Sequence, residues 1–159
     1  MLVMLNRKIS TIALLAASCA SAPILPVAKV PWADGRSVAV QGPEDVTNTF
    51  NFKDPLSVRR MYREAIESDL RAAGFKVYDG DQSLVATPDL RLMLGKLDVA
   101  QTDARVEKDQ AVLETASATS ALPCHSGLET KVRENMECYA RAVVTKLVES
   151  EKVAAALHR

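Results

Sequence analysis

Apolar residues recur with helical spacing in the first half of the chain. Between residues 58 and 73 they repeat every three or four positions, and the arginines and glutamates fall largely on the opposite side. Asp54-Pro55 precedes the pattern as a cap and a first-turn proline, and Gly74 follows it where a left-handed C-cap is expected. The pattern predicts a helix over Leu56–Ala73.

A second helical stripe lies near the C-terminus. It runs from Leu128 to about residue 150, and its spacing can be continued to Leu157. Ser126 and Glu129 stand three residues apart at its start, which is the spacing of a capping box.

Short apolar runs between glycine and proline signals predict strands. The first is Ser37–Gln41, ended by Gly42-Pro43, and the second is Phe75–Tyr78, turned by Asp79-Gly80-Asp81. A third begins at Leu90, and its apolar parity changes at Gly95, which indicates a β-bulge.

The segment after the third strand is harder to assign. Polar residues from Gln101 to Gln110 indicate a long hairpin tip, followed by a last strand over Ala111–Ala121. That strand is rich in Thr, Ser and Ala, so we expect it at a sheet edge or facing water. The stretch Ala104–Glu114 can equally be drawn as helix.

The order of these elements is strand, helix, three strands and helix. It predicts one small α+β domain, in which two helices pack on one face of a mostly antiparallel sheet.

The N-terminus has the layout of an export signal. Arg7 and Lys8 precede an apolar run from Ile9 to Ser18. This run is shorter than the ~20 apolar residues that a membrane-spanning helix needs.

The end of that run has a family resemblance. Leu14-Leu15-Ala16-Ala17-Ser18-Cys19 resembles the lipobox of bacterial lipoproteins. The resemblance implies that residues 1–18 are a removed signal peptide and that the Cys19 thiol carries a diacylglycerol with fatty acids such as palmitate. Ala20, which is not an aspartate, implies the outer membrane, with the domain facing the periplasm. An ordinary secretory signal cut after Ala20 is the alternative.

Three prolines, Pro23, Pro26 and Pro31, follow the lipobox. Proline-rich segments extend at about 3.1 Å per residue. We therefore predict that residues 19–34 are a tether and that the folded domain spans 35–159.

Cys124 and Cys138 remain as a pair once Cys19 is lipidated. An oxidising compartment favours a disulfide between them. A helix unbroken from Gly127 would carry Cys138 too far from Cys124, so either the helix starts near residues 131–135 or the bond is absent.

No metal or cofactor site is predicted. A zinc site would have to combine Cys124, His125, Cys138 and His158, which lack the usual paired spacing. Cys124-His125 could also be considered as nucleophile and base, but a disulfide would consume the thiol. Recognisable hydrolase, phosphate-binding and dinucleotide-binding motifs are absent from the sequence, and no enzyme activity is predicted.

Charge narrows the possible partners. The chain has 20 basic and 20 acidic residues, so it has no broad basic field for nucleic acid. One side of the first predicted helix could bind an acidic partner, with a solvated face as the alternative; its arginines are Arg59, Arg60, Arg63 and Arg71.

The layout of lipobox, tether and small α+β domain is similar to that of outer-membrane assembly and transport-accessory lipoproteins. The resemblance implies a lipid-anchored envelope lipoprotein that acts as a binding, assembly or accessory subunit of an outer-membrane or periplasmic complex. It would contact the membrane through its lipid and bind an envelope protein. A small periplasmic enzyme or redox protein without a recognisable motif is the alternative.

Overall fold

A computed structural model of the chain describes residues 25–46, 55–81, 87–98, 101–119 and 132–158. These ranges contain six strands: β1 (Ser37–Gln41), β2 (Asp45–Val46), β3 (Lys76–Asp79), β4 (Leu90–Leu97), β5 (Gln101–Lys108) and β6 (Ala111–Thr119). They also contain three α-helices: α1 (Pro55–Ala73), α2 (Val132–Val148) and α3 (Glu151–Leu157).

The strands form one open sheet in the order β3-β1-β4-β5-β6, with β2 pairing with β4. β1 is parallel to both of its neighbours, β3 and β4. The longer strands β4, β5 and β6 form an antiparallel meander. The predicted α+β class and the single, mostly antiparallel sheet are confirmed.

The core lies between this sheet and the two long helices, which pack against each other and on the sheet. α1 contributes its predicted apolar stripe, and Gly74 ends the helix at a φ of 113°. Within the core, Thr102 Oγ1 donates a 2.9 Å hydrogen bond to the hydroxyl of Tyr62. Burial raises the pKa of Tyr62 above its ordinary value, so this hydroxyl stays neutral.

The predicted hairpin tip over Gln101–Gln110 is wrong, and so is the helical alternative. Residues 101–108 are strand β5, in which Thr102, Ala104 and Val106 are buried and alternate with exposed polar residues. The tip is Asp109-Gln110 alone, with φ values of 50° and 69°. A two-residue turn with both φ values positive matches the twist of the flanking strands.

Two features of the neighbouring strands agree with the sequence. The β4–β5 register shifts between Leu94 and Leu97, which confirms the bulge at Gly95. β6 lies at the edge of the sheet, as its polar composition predicts.

The predicted end of the second helix near residue 150 is confirmed, whereas its continuation to Leu157 as one helix is wrong. α2 ends at Val148, and Ser150 caps α3 by accepting a 3.4 Å hydrogen bond from Val153 N. The break lets α3 turn back toward the sheet, where Arg36 Nη2 donates a 2.7 Å hydrogen bond to the Leu157 carbonyl. The capping box at 126–129 lies outside the described residues.

The packed part of the chain begins earlier than the predicted boundary at residue 35. Val27, Val30 and Trp32 pack against the core, and Ala33 is fully buried. The Trp32 and Phe75 rings meet edge to face with centroids 5.7 Å apart. Of the predicted tether, residues 25–34 are described, and they lie on the domain from Val27 onward.

Candidate functional site

The sheet face opposite the helices carries a shallow cavity of about 370 Å³. We call this surface the open face, and its side chains come from three adjacent strands: Met93, Gly95, Asp103, Arg105, Thr115 and Ser117. Asp103, Arg105, Thr115 and Ser117 are exposed because they alternate with the buried residues of β5 and β6.

The bulge in β4 positions the carboxylate of Asp103 on this surface. Asp103 Oδ1 accepts a 2.6 Å hydrogen bond from Lys96 N. A Cβ on residue 95 would lie 2.6 Å from the same oxygen. Gly95 therefore leaves the space in which the Asp103 side chain lies over β4.

The open face carries charges of both signs. Glu44 lines the cavity together with Asp103 and Arg105, and the Arg105 Nε lies 2.7 Å from Glu107 Oε1. Because the charges have both signs, the open face has no single-sign field that would attract an anionic polymer. Its charges could instead pair with those of a polar protein surface of mixed charge.

β6 borders this face and pairs with β5 and with no other strand among the described residues. Thr115 N donates a 3.1 Å hydrogen bond to Glu114 Oε1, so its N–H does not point at β5. Backbone groups alternate in direction along an antiparallel strand, so those of Ser117 point outward as well. We call the outward side of residues 115–119 the outer edge of β6.

A groove of about 440 Å³ runs along the outer edge of β6. Its other wall is α2, which contributes Ala142, Thr145, Lys146 and Glu149. On its strand side the groove is lined by Thr115, Ala116 and Ser117.

Arg63, one of the four predicted partner-binding arginines, joins α1 to the ends of β1 and β3. Its side chain is only 16% exposed. It donates hydrogen bonds of 2.8 Å to the Val40 carbonyl and 2.6 Å to Asp79 Oδ1, and it also binds Asp81. Burial disfavours its charge, but the hydrogen bonds and charges of Asp81, Asp79 and Glu67 raise the pKa of Arg63 above its ordinary value.

The other three arginines also lie beside carboxylates. Arg71 Nη2 is 2.9 Å from Glu67 Oε2, and Arg60 Nε is 3.9 Å from Glu64 Oε1. Arg59 Nη2 is 3.9 Å from Asp81 Oδ2. These contacts lower the net positive charge of the α1 surface, which makes it less favourable for an acidic partner than the four arginines alone suggest. Binding of an acidic partner at this surface stays a prediction.

The cysteine predictions fall mostly on residues that are not described. Cys19 and Cys124 lie outside the described ranges. Cys138 is half-buried on α2 and has an interaction partner there. Lipidation of Cys19 and the Cys124–Cys138 bond stay predictions. His158 is exposed after α3, and the described residues contain no group of three potential metal ligands.

A polar contact between the two long helices has no signal in the sequence. Arg141 Nη2 lies 3.3 Å from Asp69 Oδ1 in the α1–α2 interface. Asp69 Oδ2 and Arg141 Nε have no hydrogen-bond partner among the residues that the structure describes. Sequence analysis also missed Asp103 and Arg105, because it assigned them to a hairpin tip. The alternation of Thr102, Ala104 and Val106 is the signal that could have identified their strand.

Comparison with known protein families, curated proteins and solved structures gives no match. Among the described residues, no helix is long and apolar enough to cross a membrane. Any function must therefore be argued from the residues of this chain.

Proposed function

We propose that this chain is a lipid-anchored lipoprotein of the bacterial cell envelope that acts as a binding or accessory subunit of an outer-membrane or periplasmic complex. The N-terminal lipid on Cys19 would hold the domain at the outer membrane, facing the periplasm. The open face would bind an envelope protein.

The observation that carries the binding role is the accessible open face, with Asp103 held over the bulge at Gly95 beside Arg105. Most single-domain sheets with helices on one side leave the other side to water, where scattered polar residues suffice. Here a cavity of about 370 Å³ and a positioned carboxylate interrupt that surface, which favours a specific contact.

The anchor is tested by the intact mass of the protein extracted with detergent from its native membranes. We expect a chain that begins at Cys19 and is heavier by two or three acyl chains. A lipid-free chain cut after Ala20 would exclude the lipoprotein and leave an exported domain.

The binding role is tested by co-purification in mild detergent. We expect a stoichiometric envelope protein with the wild type, and its loss in the charge-reversed variant Asp103→Lys/Arg105→Glu. Lys152→Glu, which changes an exposed charge on α3, is the matched control and should retain the partner. Reproducible turnover in a hydrolase panel that disappears in the Asp103 variant would instead support the enzyme alternative.

A further inference from the structure

We propose that the open face binds an extended strand of the partner protein, laid along β5 and β4. On the side that faces this chain, the strand carries a basic, an apolar and an acidic residue at alternate positions. The inference rests on the proposed function, because it names the kind of segment that the open face would bind.

The charge at one end of the open face is the carboxylate of Asp103. Asp103 is exposed and forms no ion pair with another described residue. The cations of the neighbouring positions bind other carboxylates: Lys96 Nζ lies 3.2 Å from Asp98 Oδ2, and Arg105 Nε lies 2.7 Å from Glu107 Oε1. A basic side chain of a partner could therefore pair with Asp103 in the cavity of about 370 Å³.

The charge at the other end is the guanidinium of Arg91. Arg91 is exposed on β4 and lies directly opposite Glu107, but Glu107 pairs with Arg105 instead. Arg91 lines a second cavity of about 350 Å³ together with Asp109 of the hairpin turn, and in the described part of the chain it forms no ion pair. An acidic side chain of a partner could therefore pair with Arg91.

The row of residues between these two ends favours an apolar contact. Met93 lies opposite Arg105 there and is half-buried. Its thioether side chain is flexible and adapts to apolar partners. The positive charge of Arg105 is already paired with Glu107, so a partner needs an apolar residue at this row and no further charge.

The spacing of the two charges matches an extended strand. Arg91 is opposite Glu107, which is four residues from Asp103 along β5, or about 14 Å. Residues i and i+4 of a strand are also about 14 Å apart and point to the same side. A helix returns to the same side after about 10.5 Å or about 16.5 Å, so it matches this spacing less well.

The path of such a strand agrees with the packing of sheets. From Asp103 on β5 to Arg91 on β4 it would move sideways by one strand, which is ~4.8 Å over about 14 Å. The crossing angle is then about 20°, within the roughly 30° that two sheets packed face to face keep. The partner strand can therefore lie flat on the open face.

The pattern is tested with cyclic β-hairpin peptides and the full mature protein in detergent, with binding measured by fluorescence anisotropy. One peptide presents lysine, leucine and glutamate at alternate positions of one strand. We expect the wild type to bind it roughly fivefold more tightly than an isomer with the lysine and glutamate three residues apart, because that spacing places the two charges on opposite sides. Equal binding of the two isomers, or no binding of either at ~1 mM, would overturn the proposal.

Charge changes at the two ends should alter the preference in a defined way. Arg91→Glu should bind a hairpin with two lysines most tightly, and Asp103→Lys a hairpin with two glutamates. Asp103→Asn keeps an acceptor for Lys96 N, so it should stay folded and bind the lysine–glutamate hairpin roughly fivefold more weakly. Unchanged preferences in these variants would contradict the assigned ends.

Lys76→Glu is the matched control for Arg91→Glu. It makes the same charge change on an exposed residue of β3, which is separated from β4 by β1, and it should keep the wild-type preference. The native partner separates this inference from the proposed function. If it co-purifies and is lost with Asp103→Lys/Arg105→Glu but retained with Arg91→Glu, the strand pattern is wrong and the binding role stands.

Discussion

Asp103 occupies the space over Gly95 that a larger residue would need. Its Oδ1 accepts a 2.6 Å hydrogen bond from Lys96 N, and a Cβ on residue 95 would lie 2.6 Å from that oxygen. The bulge, the glycine and the carboxylate thus depend on one another, although eight positions along the sequence separate Gly95 from Asp103.

Gly95→Ala should lower the free energy of unfolding by about 1 kcal/mol, because Asp103 must turn away and lose its hydrogen bond to Lys96. In an Asp103→Ala background the same substitution should cost much less, since the displaced carboxylate is gone. Urea unfolding of the four proteins measures the coupling. Equal losses in both backgrounds would contradict the relationship.

Arg63→Lys should destabilise the protein by roughly 2 kcal/mol, because a lysine cannot donate to the Val40 carbonyl, Asp79 and Asp81 together. Arg60→Lys is the matched control on the same helix and should change stability by less than about 0.5 kcal/mol. Chemical denaturation measures both. A similar small effect of the two variants would show that Arg63 does not join α1 to the ends of β1 and β3.

Asp89 should make stability depend on pH in the acidic range. The backbone N–H of Ser37 holds the pKa of Asp89 below its ordinary value, with further help from the Ser37 hydroxyl, Arg36 and Lys108 and against the effect of partial burial. Because the folded state binds this proton more weakly than the unfolded state, the contribution is present at neutral pH. It is lost as the pH falls below about 4.

The measurement is the free energy of unfolding of the wild type and Asp89→Asn between about pH 7 and about pH 3. The wild type should be the more stable at neutral pH, and the difference should shrink as the pH falls. A difference that is constant over this range would exclude the Asp89 carboxylate as its source.

The Cys124–Cys138 bond should be visible by mass before and after reduction and alkylation. If it forms, reduction should cost about 3 kcal/mol, because the loop is no longer constrained in the unfolded state. Cys124→Ser, Cys138→Ser and the double variant should then have the same stability, since either change breaks the bond. Alkylation of both thiols without reduction would contradict the pairing.

The interior of the fold follows closely from local pattern. The spacing of apolar residues over 56–73 and the glycine at 74 predicted α1 and its end, and the parity change at Gly95 predicted the bulge. These features depend on neighbours along the chain, which the sequence displays directly.

β5 and α3 show where local pattern misleads. β5 has one strong hydrophobe, Val106, among small and polar residues, so its alternation is weak until β4 and β6 enclose it. The stripe that continues past Val148 is helical in spacing, but Ser150 stops it because its side chain caps a new helix. Tertiary contacts selected among structures that the local sequence allows.

By itself the sequence determined part of this fold: the α1 helix, the bulge in β4, the edge position of the Thr- and Ala-rich β6, and the α+β class. Only the tertiary structure decided that β1 is parallel to both neighbours, that Arg63 joins three elements, and that Asp103 lies over Gly95. The reason is physical. Periodicity reports which side of an element is buried, whereas strand order and polar contacts depend on residues that meet only when distant parts of the chain pack together.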